Sequence, residues 1–242
     1  MMRKLPRSQD QEARSRGFTL LEALVCLAVA VALLWVVLPL LSRPAQRHPR
    51  IKCVNNLKNI GLAFRIFATD HDEKFPMALA QAEGGSMEHL LSADNVWRHF
   101  AALSNELSSP RLLICPSEAE NRKTADAFSI QASRPGALIY SGNTNLSYFV
   151  GLDANEKSPV MLLAGDRNLT NADPIFSYGR ARMGSLGTNH GRGRGAGWSQ
   201  DIHRSQGNIV YVDGSVQQFD AVRLRVALRE SGDTNNRIAV PD

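Results

Sequence analysis

The sequence predicts an α+β chain. A long N-terminal helix, membrane-spanning in its first half and amphipathic in its second, packs on a C-terminal domain with a small antiparallel sheet. Three observations carry this. Residues 18–41 form an apolar run whose one charge is Glu22. Cys53, Leu57, Ile60, Phe64 and Phe67 recur at four- and three-residue steps, the pattern of one buried face of an amphipathic helix. Near the C-terminus, Asn208–Val212 and Ser215–Phe219 are β-prone runs around Asp213-Gly214, a pairing that favours a two-residue type I′ hairpin.

The 242-residue chain opens on a leader, residues 1–17, which lies outside the fold. Arg3, Lys4, Arg7, Arg14 and Arg16 against Asp10 and Glu12 give this leader a net charge of +3. Phe18 to Leu41 is 24 residues, more than the ~20 apolar residues that span a bilayer core as a helix and too long for a signal-peptide core. The positive-inside rule then places the N-terminus in the cytoplasm and everything after about residue 42 outside. The formal charge of +5 falls to +2 without the leader, so the basic balance is weak evidence for nucleic-acid binding. What remains outside is enough for one domain with its own core. A carboxylate within a membrane segment is costly, which makes Glu22 a functional residue by default. The bland alternative places it at the interface beside Arg16.

Pro39, Pro44 and Pro49 predict a bend or linker over 42–50. The globular domain follows as 51–242, beginning with the amphipathic helix 51–70. A single helix over 18–70 would measure about 80 Å. Gly61 lies inside that helix, where glycine costs about 1 kcal/mol, so another element must approach closely. Residues 81–86 read as loop. Asp94 is positioned to cap a second helix with Val96, Phe100, Leu103 and Leu107 on its buried face, stopped by Pro110. Arg111–Pro116 reads as a short strand and 117–137 as irregular. Ser147–Gly151 and Pro159–Gly165 read as strands closed by glycine. Gly179–Gly197, rich in glycine and arginine, reads as a long mobile loop, Ala221–Glu230 as a closing helix, and the last ten residues as a polar tail.

The stretch Arg14-Ser15-Arg16-Gly17-Phe18-Thr19-Leu20-Leu21-Glu22 resembles the processing signal of type IV prepilins and type II secretion pseudopilins. Gly17, Phe18, Thr19, Leu20 and Glu22 match that pattern. The resemblance implies cleavage between Gly17 and Phe18 by a prepilin peptidase/methyltransferase and methylation of the Phe18 amine. It also implies that Glu22 pairs with the Phe18 amine of a neighbouring subunit, an ion pair that sets axial register in low dielectric. Cys53, Asn56, Leu57 and Gly61 resemble the Cys-x-x-Asn-Leu-x-x-Ile/Leu-Gly signature of pseudopilin-like proteins abundant in planctomycetes and verrucomicrobia. The Asp/His-rich turn with Phe75-Pro76, and Cys115-Pro116, are in the style of the same group. His203 and Asp213-Gly214 match its His-x9-Asp-Gly signature. The family fold is pilin-like. The implied setting is a single-pass protein of the bacterial inner membrane with a periplasmic domain, assembled into an envelope filament. The implied partners are copies of itself or other pseudopilins, the inner-membrane assembly platform and membrane lipid.

Other chemistries are weaker. Cys26 reads as a packing residue. Cys53 and Cys115 face an oxidising compartment, as either a disulfide or two separate buried thiols. A strand over 207–212 separates His203 from Asp213 by nearly 20 Å, and Asp213 has a sufficient role in its turn. Asp166, Asp173, Asp201 and Asp213 are the carboxylates available to calcium, but no EF-hand spacing occurs among them, and no other cofactor is expected. Gly-x-Ser-x-Gly, His-Glu-x-x-His and P-loop patterns do not occur, so no enzyme activity is expected. Gly191–Gly195 alternates glycine with arginine, as nucleic-acid-binding segments do, but reads more simply as a solvated loop. The competing reading of the whole chain is a membrane-anchored envelope protein whose outer domain binds a ligand or is an enzyme.

Overall fold

The computed structural model describes residues 19–41, 47–129, 134–170, 182–188 and 195–242. The chain divides into two compact units, Met1–Ala45 and Gln46–Asp242. The first holds helix α1, Leu20–Leu41, which continues through Pro39. Leu20, Leu21, Leu24, Leu27 and Trp35 are 62–84% exposed, so apolar side chains face outward all round. Among the described residues no helix is long and apolar enough to cross a membrane.

The second unit begins with helix α2, Arg47–Asp70. It starts inside the predicted 42–50 linker, because Pro49 falls in the first turn, where a missing N–H leaves no helical bond unmade. The predicted stripe is its inner face: Cys53, Leu57, Ile60, Phe64 and Phe67 are buried. Asp72 and Glu73 adopt left-handed φ values of 53° and 58° and end it.

Eight described strands follow: β1 Tyr148–Gly151, β2 Leu162–Asp166, β3 Leu169–Thr170, β4 Arg182–Ser185, β5 Gly197–Trp198, β6 Gly207–Tyr211, β7 Val216–Phe219 and β8 Arg237–Val240. Six make one antiparallel sheet in the order β4-β8-β1-β2-β6-β7, while β3 pairs with β5. Two cores result. Tyr148, Val150, Val210 and Ala239 face the α2 side. Phe149, Ile209, Ile238 and Val240 face helix α4, Ala221–Glu230, which contributes Leu224, Ala227 and Leu228. Asp220 caps α4 by accepting from Arg223 N at 2.8 Å.

Several elements differ from expectation. The predicted helix after Asp94 is only α3, Val96–Ala101, preceded by a 3-10 turn Ala93–Asn95 that contains Asp94. Its expected core residues Val96, Phe100, Leu103 and Leu107 are nonetheless buried. The predicted strand at 111–116 is a 3-10 turn, Pro110–Leu113. Proline suits its first position, and Ser109 Oγ accepts from Arg111 N. The expected loop at 179–197 contains the edge strand β4 and part of β5, with 179–181 and 189–194 outside the described residues. The expected polar tail holds β8, which sits between β4 and β1 because Ile238, Ala239 and Val240 alternate between the two cores. The hairpin has three loop residues instead of two. Tyr211 N bonds to Ser215 O and Gly214 N to Tyr211 O, both at 2.9 Å, with Gly214 alone left-handed at φ 83°. Val212 is drawn into the core and its N–H bonds to Met161 O, so it cannot extend the ladder. A type I turn with a glycine bulge is the geometry that accommodates the extra residue.

Candidate functional site

Helix α2 carries two clusters. At the first, Cys53 is joined to Cys115 in a disulfide with a Cα–Cα distance of 5.1 Å. One turn on, Asn56 Nδ2 donates to Ile114 O at 3.0 Å. A helix presents residues three apart on one face, so Cys53 and Asn56 together clamp the segment 114–115.

His203 reaches the same point from the loop before β6. Its Nε2 lies 3.5 Å from Cys115 Sγ and 3.4 Å from Asp166 Oδ2 at the end of β2, and its Nδ1 lies 3.4 Å from Ser117 Oγ. Asp166 Oδ2 accepts from Asn208 N and Nδ2 at 2.7 and 2.8 Å, while Oδ1 has no hydrogen-bond partner among the described residues. Burial raises the Asp166 carboxyl to about 7 against the pull of the Asn208 bonds. Burial, helped by the Arg50 charge, lowers His203 to about 4. Both shifts favour neutral forms, so this contact is a polar pair between an uncharged imidazole and a carboxyl poised to titrate near neutrality, and not a fixed ion pair.

The loop holding His203 is tied down from two sides. Asn168 Nδ2 donates to Ser199 O, Ile202 O and Gln206 O at 3.2, 2.8 and 3.1 Å. Arg50 Nη2 donates to His203 O at 2.5 Å. His203, Arg204 and Ser205 all have positive φ, 54–61°, which costs a non-glycine residue roughly 1–2 kcal/mol each. Beside them Glu118 pairs with Arg167 and with Arg122, all three buried.

The second cluster lies farther along α2. A Cβ at Gly61 would sit 2.5 Å from Val210 Cγ2 and 3.7 Å from Gly214 Cα. The hairpin turn is seated against the bare helix, and Arg65 Nη1 donates to Asp213 O at 3.1 Å. Leu57 lies between the clusters in the core. The structure thus gathers Cys53, Asn56, Cys115, Asp166 and His203, and separately Gly61 with Asp213 and Gly214. Asp213 is at the far end of β6 from His203, its Oδ1 taken by Ser215 N at 2.8 Å. Asp201 is exposed and Asp166 buried, so the described carboxylates do not meet at one calcium site. Asp173 lies outside the described residues. Among the described residues, Cys53, Cys115 and His203 form a group of metal-type ligands, with their donor atoms within 4.8 Å of one another. Sequence reasoning missed the Glu118–Arg167–Arg122 cluster and the anchoring by Asn168 and Asn208. A run of polar residues, Asp166-Arg167-Asn168, directly behind an apolar strand was the available signal.

In the first unit, Gly17 and Phe18 lie outside the described residues. Thr19 N and Oγ1 each donate to Glu22 Oε2 at 3.0 Å, and Glu22 N donates to Thr19 Oγ1 at 3.3 Å. This reciprocal arrangement is a capping box at the start of α1, a use of the Thr-x-x-Glu spacing that sequence reasoning overlooked. Residues 13–38 match the family described as the prokaryotic N-terminal methylation motif. That match supports a pilin-like or pseudopilin-like chain with a prepilin N-terminus. No curated protein and no solved structure matches the chain.

Proposed function

We propose that this chain is a structural subunit of a type II secretion pseudopilus or type IV pilus-like filament, of the His-x9-Asp-Gly type. The carrying observation is a capped helix that exposes apolar side chains on every side, starting inside the methylation motif. Such a surface needs lipid or other helices around it. The chain inserts once in the inner membrane with its N-terminus cytoplasmic and its second unit periplasmic. A prepilin peptidase cuts after Gly17 and the Phe18 amine is methylated. An assembly platform then moves α1 from lipid into contact with copies of itself or other pseudopilins. There Glu22 meets the neighbour's Phe18 amine. Its carboxylate is already oriented at the helix start by Thr19, and apolar contacts supply cohesion while the ion pair sets register. The outer unit has a scaffolding role and no catalytic one.

Intact mass and N-terminal analysis of the protein from native membranes test this. The expected mature chain starts at methylated Phe18. A chain starting at Met1 or Met2 overturns the proposal and favours the anchored envelope protein with a ligand-binding or enzymatic outer domain.

A further inference from the structure

We infer that the Cys53–Cys115 crosslink has a second closed form: with both cysteines reduced, Cys53, Cys115, His203 and Asp166 make a tetrahedral zinc site. The inference is independent of the filament reading. Two thiolates, an imidazole and a carboxylate are a donor set zinc accepts, and structural zinc is four-coordinate. Two edges of the polyhedron are already present. With Zn–S of about 2.3 Å and Zn–N and Zn–O of about 2.05 Å, a tetrahedral ion sets S···N near 3.5 Å and N···O near 3.4 Å. Cys115 Sγ lies 3.5 Å from His203 Nε2, and Asp166 Oδ2 lies 3.4 Å from that nitrogen. Two changes are needed: the sulfurs must part from bonded to about 3.8 Å, and the Asp166 carboxylate, which lies outside the group of donors already within 4.8 Å of one another, must turn toward them.

The surroundings fit a metal ligand set. Ser117 Oγ lies 3.4 Å from His203 Nδ1 and can accept a hydrogen bond from its N–H; in that tautomer Nε2 carries the lone pair, the arrangement that orients a ligating histidine. Asn208 holds one Asp166 oxygen, and the other, wholly buried, has no partner among the described residues. Zinc with two thiolates and a carboxylate carries a net charge of −1, and the Arg50 guanidinium on the His203 carbonyl offsets it. The ligands come from α2, the turn after Pro110, the end of β2 and the loop before β6, so the site exists only in the folded chain.

The interconversion balances. A dithiol reductant supplies two electrons and two protons, the S–S bond breaks, and the reductant leaves as a disulfide. Zinc binding then releases both thiol protons. A small-molecule disulfide reverses these steps: it takes two electrons from the thiolates and two protons from solvent to become two thiols, the S–S bond re-forms, and the ion leaves.

The test uses the full chain in detergent, with cobalt(II) as the spectroscopic probe. The reduced chain should bind one cobalt with the absorption of a tetrahedral site and a thiolate-to-cobalt charge-transfer band, displaced by zinc. The disulfide form should bind none. His203→Asn should weaken binding a hundredfold or more. Ser117→Ala, which leaves every ligand and the core in place, should weaken it by about tenfold, and Asp213→Asn should leave it unchanged. A reduced, folded chain that takes up no cobalt, a disulfide form that binds as well, or full affinity in Ser117→Ala and His203→Asn overturns the inference.

Discussion

Gly61→Ala sets two effects of similar size against each other, and the structure decides between them. In an unpacked helix the change stabilises by about 1 kcal/mol. Here the added methyl would lie 2.5 Å from Val210 Cγ2, closer than carbon atoms approach. Val210 is fully buried in β6 between Ala164 of β2 and Val216 of β7, and its β-branched side chain has little rotamer freedom. Overpacking of this kind costs about 1–3 kcal/mol, so a net destabilisation of about 1 kcal/mol is expected. Val210→Ala alone should cost about 2 kcal/mol through its cavity. In the double variant the new methyl occupies space that Val210 vacates, so the two changes should fall short of their sum by about 1–2 kcal/mol. Urea unfolding followed by near-UV circular dichroism measures this cycle. If Gly61→Ala stabilises the chain and the double variant is additive, then the close helix–strand approach is not what requires glycine.

Three further outcomes are expected. Glu22→Gln keeps an acceptor for Thr19 in the capping box, which tolerates glutamine, but loses the charge. It should insert normally yet enter sheared filaments roughly tenfold less or worse, whereas wild-type incorporation would reduce Glu22 to a cap. His99 is buried against Ser86 Oγ at 2.8 Å, and burial, then the His89 charge, lowers it to about 4. The unfolded chain therefore binds the proton first, so His99 costs nothing above pH 6.5 and removes stability as pH falls toward 4, about 2 kcal/mol by pH 5. His99→Gln should flatten the stability profile by about one proton in that window, and an unchanged slope sinks the assignment. Glu118→Gln removes the buried carboxylate that Arg122 and Arg167 share, and a loss of about 3 kcal/mol is expected in thermal or urea unfolding. A loss under 1 kcal/mol would mean that the three charges are solvated.

What could be read from the sequence was local. The face of α2 follows from apolar steps of three and four, and the closing helix expected at Ala221–Glu230 is α4. Strand β8 escaped notice because four residues amid polar neighbours acquire meaning only between β4 and β1. The turn at Pro110 was misread as a strand because its apolar residues, Leu113 among them, are buried by tertiary packing and not by any period of two. At the site, Cys53, Asn56, Gly61 and His203 stood out as spaced residue types, but which of them meet did not. Asp166 could be read as a carboxylate and not as the neighbour of His203, since 36 residues and three described strands lie between them in the chain. The Glu118–Arg167–Arg122 cluster looks like surface charge until the fold closes over it.

The stretch from His203 to Asp213-Gly214 joins the two clusters. Arg50 grips the carbonyl of His203 and Arg65 the carbonyl of Asp213. These arginines are 15 residues apart on α2, a rise of about 22 Å. Between His203 and Asp213, strand β6 covers only Gly207–Tyr211, about 13 Å at 3.3 Å per residue, and loop residues on either side supply the rest. Helix α2 and the segment 203–213 therefore share a contact at each end of β6. The bare surface at Gly61 lets β6 lie close enough for both arginines to reach. The segment is thus held to the helix at both ends of β6, with His203 at one end and Asp213 and Gly214 at the other.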